Sequence, residues 1–161
     1  MSQLTAHSTE KAHSYEQLLK QLTALCEDET DRLANLSNAS ALLNQSLGDI
    51  NWIGFYLWKD SELVLGPFQG LPACIRIPYG KGVCGTAIQE GKTQRVDDVM
   101  AFPGHIACDS ASKSEIVMPL YTGQDIYGVL DIDSPINSRF DETDQLYLEK
   151  FAKEIERLIQ K

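Results

Sequence analysis

Ser114-Glu115-Ile116-Val117-Met118-Pro119-Leu120-Tyr121 is followed by Ile126-Tyr127-Gly128-Val129-Leu130-Asp131-Ile132-Asp133. Both runs are rich in β-branched and aromatic residues, and they read as a hairpin around residues 122–125. Alternation sends Leu130 and Ile132 to one face, Asp131 and Asp133 to the other. Acids inside such a strand are uncommon. They are either solvated or aimed at a ligand. The register decides whether Glu115 joins them. A three-residue loop sets Glu115 opposite Asp131 or Asp133, whereas a two-residue loop turns it to the other face. A shared acid site requires the three-residue form or its equivalent.

Upstream, Ile50-Asn51-Trp52-Ile53-Gly54-Phe55-Tyr56-Leu57-Trp58 reads as a further strand. Ile53, Phe55 and Leu57 share a core face. Trp52, Gly54, Tyr56 and Trp58 share the other, where the glycine between aromatics leaves a hollow. That face is either ordinary aromatic packing or one wall of a ligand pocket. Residues 62–66, 73–79 and 93–96 read as additional strands. Leucines at helical spacing mark two helices before the first strand, over 15–26 and 33–47. Phe140-Asp141-Glu142-Thr143-Asp144 caps a last helix with a stripe of Leu148, Phe151, Ile155 and Leu158. The order gives an α+β fold: an antiparallel sheet with the N- and C-terminal helices on one face. The other face, roofed by residues 67–84 and 97–113, is left for a ligand.

The 161 residues are expected to form one domain, 1–161, with a polar, flexible start over 1–12. A net charge of −9 disfavours nucleic acid and anionic membrane as partners. No charged-then-apolar leader opens the chain and no apolar run is long enough to span a bilayer, so a cytoplasmic location is expected. There thiols are kept reduced, and the four cysteines point to redox, metal or core roles rather than a disulfide scaffold.

Cys26 continues an apolar helical stripe and reads as a buried hydrophobe. Cys108 lies in Phe102-Pro103-Gly104-His105-Ile106-Ala107-Cys108-Asp109, a loop broken by Pro and Gly. Cys84 lies in Gly80-Lys81-Gly82-Val83-Cys84-Gly85, which matches G-x-G-x-x-G. The helix after it, 86–90, is too short for a dinucleotide-binding crossover, so the motif reads as a mobile turn presenting Cys84. Cys74 rides on the expected strand over 73–79. A thiol beside acids with a second thiol in reach is a nucleophile or redox layout. Zinc on His105 and Cys108 with Cys84 or Cys74 is the rival reading, but it lacks a C-x-x-C pair.

These segments together, Asn51 to Tyr56, Gly80 to Gly85, Phe102 to Asp109, Ser114 to Pro119 and Gly128 to Ser134, resemble the free methionine-(R)-sulfoxide reductases, a family of single GAF domains. The resemblance runs from about Tyr15 to the C-terminus. It implies a GAF-like fold and reduction of the R epimer of free methionine sulfoxide. It implies Cys108 as nucleophile, Cys84 as resolving cysteine and Cys74 as an auxiliary thiol. Trp52 and Tyr56 would line the substrate pocket, and Glu115, Asp131 and Asp133 would hold the substrate and assist at the sulfoxide. The expected cycle runs from a Cys108 sulfenic acid to a Cys84–Cys108 disulfide, recycled by thioredoxin, with no bound cofactor. The terminal helices offer a homodimer seam, and the family implies a dimer. A small-ligand GAF sensor and a thiol redox sensor without a substrate are the competing classes.

Overall fold

The computed structural model describes residues 3–106 and 108–161. Two helices, α1 (Gln3–Cys26) and α2 (Arg32–Ser46), precede strands β1 (Trp52–Lys59), β2 (Glu62–Gln69) and β3 (Arg76–Pro78). Helix α3 (Gly82–Glu90) and strand β4 (Gln94–Val96) follow, then a 3-10 turn at Val99–Ala101, strands β5 (Ser114–Thr122) and β6 (Asp125–Ser134), and helix α4 (Glu142–Ile159). The six strands form one sheet in the order β3-β2-β1-β6-β5-β4, with every neighbouring pair antiparallel. The α+β reading therefore describes the molecule. No helix among the described residues is long and apolar enough to cross a membrane.

The two faces of the sheet carry separate cores. Ile53, Phe55, Ile116, Met118, Leu130 and Ile132 pack under the three long helices, against residues such as Leu22, Leu43 and Phe151. On the opposite face Trp52, Tyr56, Val117 and Val129 pack with Ile77 and with Val83, Cys84, Ala87 and Ile88 of α3. This second core is the floor of the site, and it exists because strand side chains alternate between faces.

The helix ends are set by carboxylates. Asp31 accepts a hydrogen bond from Ala34 N and starts α2. Asp141 and Asp144 form a reciprocal capping box at the start of α4. Asp144 is fully buried. It also accepts hydrogen bonds from Tyr15 Oη at 2.5 Å and Lys11 Nζ at 2.6 Å, and so ties α1 to α4. The N-terminal stretch read as flexible is helical from Gln3, and Lys11 within it is anchored; Met1 and Ser2 lie outside the described residues. The helical stripes are narrower than their sequence spacing suggests: Leu25 and Leu33 both face solvent.

Candidate active site

The hairpin register brings the acids together through an equivalent of the three-residue loop. The turn has two residues, Gly123 and Gln124, since Thr122 pairs with Asp125. Taken alone that turn would set Glu115 opposite Ile132. A register shift intervenes: Tyr121 pairs with Ile126, but Leu120 pairs with Gly128. Tyr127 is the extra residue, a β-bulge. From there outward Glu115 pairs with Asp133 and Val117 with Asp131. On the far side of β6, Asp133 pairs with Trp52 and Asp131 with Gly54. Glu115, Asp131 and Asp133 thus share one face with Trp52 and Tyr56.

Gly54 does not leave the open hollow expected of it. A Cβ there would lie 2.3 Å from Phe68 Cβ and 2.8 Å from the Trp52 ring. The glycine lets these side chains close in. Trp52 stacks on Phe68 and on Tyr56, with ring centroids 5.3 and 5.7 Å apart. The aromatic wall is continuous, and its polar tips reach up to a loop: Trp52 Nε1 donates to Leu71 O at 3.2 Å and Tyr56 Oη to Cys74 O at 3.0 Å.

That loop carries Cys74, which precedes β3 rather than lying within it. Cys74 is joined to Cys108 by a disulfide, with Cα atoms 5.3 Å apart. The expected Cys84–Cys108 pairing is corrected here, because Cys84 is a free, buried thiol. Nor does Cys84 sit on a mobile turn: it belongs to the first turn of α3 and is 4% exposed. The glycine motif around it serves packing. Gly82 adopts φ +63° against Ile106, and a Cβ on Gly85 would meet Pro78 O at 2.6 Å. The Gly85 contact seats α3 on β3, and the Gly82 contact seats its start against the loop at Ile106.

The Cys108 loop is held from below. Asn51, just before β1, donates from Nδ2 to Asp109 Oδ2 at 2.9 Å and to Ser112 Oγ at 3.1 Å. No sequence pattern announces these anchors, because 58 residues separate Asn51 from Asp109.

Trp52, Tyr56, Cys84, His105, Cys108 and the three acids line one cavity of about 40 Å³. The electrostatics inside it are those of crowded, poorly solvated anions. Burial first, then the charges of Asp131 and Asp133, push the Glu115 carboxyl well above the usual carboxylate range. Burial and Asp131 do the same to Asp133. Asp131 is also raised by burial, but hydrogen bonds involving Glu115, Cys84 and Asp133 counter the rise. Asp131 is the member whose neighbours favour the charged form, while burial and Asp131 push Glu115 and Asp133 toward the neutral one. Asp131 Oδ1 is buried without a hydrogen-bond partner. Burial, followed by Asp131 and Glu115, lifts the Cys84 thiol well above its normal range, so it is held as a neutral S–H. Among the described residues, the donors drawn within 4.8 Å of one another are Cys84, Glu115 and Asp131. His105 and Cys108 are not part of that group, and Cys108 is bonded to Cys74.

Residues 21–159 match the GAF domain family. The chain is 52% identical over 149 residues to the free methionine-R-sulfoxide reductase of Escherichia coli, covering 92% of this chain and 90% of that protein. The chain belongs to the free methionine-R-sulfoxide reductase family of GAF domains. Solved structures agree in fold. The free methionine-R-sulfoxide reductase of Neisseria meningitidis, solved in complex with its substrate, superposes with a TM-score of 0.90 at 50% identity over 93% of this chain and 90% of that one. The reduced fRMsr of Staphylococcus aureus gives 0.88 at 58% identity over 90% and 94%.

Proposed function

We propose that this chain reduces free methionine (R)-S-oxide to methionine, with Cys108 as the attacking thiol and Cys74 as the resolving one. The observation that carries the reading is the Cys74–Cys108 disulfide poised over a buried acid cluster walled by Trp52 and Tyr56.

A sulfoxide sulfur becomes electrophilic when its oxygen is protonated, and a carboxyl kept neutral at ordinary pH is the donor for that step. Glu115 and Asp133, both pushed toward the neutral form, take that role. The Cys108 thiolate attacks the substrate sulfur while the oxygen takes a proton. The sulfoxide oxygen passes as a hydroxyl to Cys108 Sγ as its bond to the substrate sulfur breaks, methionine leaves with its sulfur as a thioether, and Cys108 becomes a sulfenic acid. Cys74 then attacks Cys108 Sγ, expelling water and closing the disulfide. Two thiols supply both electrons, so no bound cofactor enters. Cys84 stays out of the electron path and donates its proton toward Asp131.

The free amino acid fits the charge of the site. Its ammonium group supplies the cation that Asp131 lacks, through the unpartnered Oδ1. A peptide-embedded residue offers no such cation. A dithiol protein of the thioredoxin type, in the cytoplasm, restores the thiols by exchange. The deciding experiment follows each epimer of free methionine sulfoxide with a thioredoxin system, beside a peptide containing the R epimer. Consumption of the free R epimer alone is expected, and equal rates on the peptide would reject the amino-acid specificity.

A further inference from the structure

We infer that the uncharged loop Gly70-Leu71-Pro72-Ala73-Cys74-Ile75 is the platform on which the dithiol reductant docks, and that it attacks Cys74 Sγ, not Cys108 Sγ. This rests on the reading that a dithiol protein recycles the disulfide.

The two sulfurs sit in different surroundings. Cys108 lines the cavity with Glu115, Asp131 and Asp133. An incoming thiolate on that side meets buried acids, and it would have to enter a space of about 40 Å³. Cys74 does not line the cavity. It lies on the outer loop between Leu71 and Ile75, which are 65% and 68% exposed. Single exposed leucines are ordinary, but two large apolar side chains flanking a redox disulfide make a contact surface.

The loop is also built to hold that surface outward. Its backbone is pinned inward at three carbonyls: Leu71 O by Trp52, Cys74 O by Tyr56 Oη, and Ile75 O by Leu65 N at 2.8 Å. A rigid apolar rim needs little ordering when a partner binds. Residues 70–75 carry no charge on a chain of net charge −9, so a partner that docks there desolvates no ionised side chain of the loop.

The exchange balances. The reductant thiolate bonds to Cys74 Sγ and the Cys74–Cys108 bond breaks, with Cys108 leaving as the thiolate that the next turnover needs. The reductant's second thiol then attacks its own first sulfur and releases Cys74. The reductant is oxidised to a disulfide, and two electrons and two protons pass to this chain.

The test uses the oxidised protein and a thioredoxin whose second active-site cysteine is serine. The mixed disulfide it traps is digested and located by mass spectrometry. Attachment at Cys74 with Cys108 free to alkylate is expected; attachment at Cys108 overturns the inference. In steady state, Leu71→Ser with Ile75→Ser should raise KM for thioredoxin on the order of tenfold while turnover with dithiothreitol is unchanged. An unchanged KM overturns the platform. If thioredoxin traps nothing although dithiothreitol reduces the disulfide, the inference falls because its reductant is wrong, and oxidation of the reduced enzyme by substrate still stands.

Discussion

Glu115 lies directly across from Asp133 only because Tyr127 is bulged out of the β5–β6 ladder. One extra residue inverts the face of every side chain beyond it. The bulge therefore converts a tight two-residue turn into an arrangement that stacks two carboxyls side by side over a third. The cost of crowding acids is built into the fold, and the chemistry draws on it.

That cost has a sign in pH. Glu115 and Asp133 have folded-state pKa values raised above their ordinary values of 4.5 and 3.8. The native state thus holds protons that the unfolded chain releases. Their favourable contribution is complete below the ordinary values and is lost as pH rises through the folded ones. Glu115→Gln removes one of these groups. Its stability should therefore fall less between pH 5 and pH 8 than that of the wild type, measured by urea midpoints. Its kcat should drop by about 10²–10⁴, the usual worth of a general acid. A steeper pH dependence in the variant would contradict the raised carboxyl.

The thiols separate cleanly by role. Reduced protein mixed with one equivalent of free methionine (R)-S-oxide should lose two titratable thiols, with Cys74 and Cys108 found linked after digestion. Cys74→Ser should still release one equivalent of methionine in a burst, then stall at a sulfenic acid in the absence of added thiol. Cys84→Ser should retain the Cys74–Cys108 link. Recovery of a Cys84–Cys108 peptide from the wild type would restore the pairing that the family resemblance implies.

That pairing shows where sequence reading runs out. Alternation along β1 and β6 was enough to place Trp52, Tyr56, Asp131 and Asp133, because side-chain period in a strand is local. Glu115 could be placed only conditionally, since its face depends on a bulge that no short pattern announces. The glycines around Cys84 suggest a mobile turn, and the resolving role of Cys84 enters only with the family resemblance. In fact Gly82 and Gly85 seat Cys84 in a packed helix. Cys74, assigned to a strand, lies in a loop whose position is set by Trp52 and Tyr56 from two strands away. Such relations are tertiary, and only the resemblance to a family stood in for them.

Cavity size predicts redox-gated binding. The space under the disulfide is about 40 Å³. An engineered cavity that admits benzene is roughly 150 Å³, and methionine sulfoxide is larger than benzene. The oxidised protein should therefore give no heat of binding with substrate or methionine by calorimetry. The reduced Cys108→Ser variant should bind substrate. Equal affinity for substrate in the two forms would show that the disulfide does not close the site.

Asn51 tests whether the Cys108 loop must be held in place. Its Nδ2 bridges Asp109 and Ser112, while its Oδ1 is buried and unpartnered. Asn51→Ala deletes two donated bonds and one orphaned acceptor together. The first loss destabilises and the second relieves a desolvated polar atom, so the net change in stability should be small, under about 1 kcal/mol. Catalysis has no such offset. Misplacing a nucleophile by an ångström can cost on the order of a hundredfold, so methionine release in a single turnover should slow by tens- to a hundredfold with the thermal midpoint nearly unmoved. An unchanged single-turnover rate would mean that the β-sheet floor and the rest of the loop position Cys108 without Asn51.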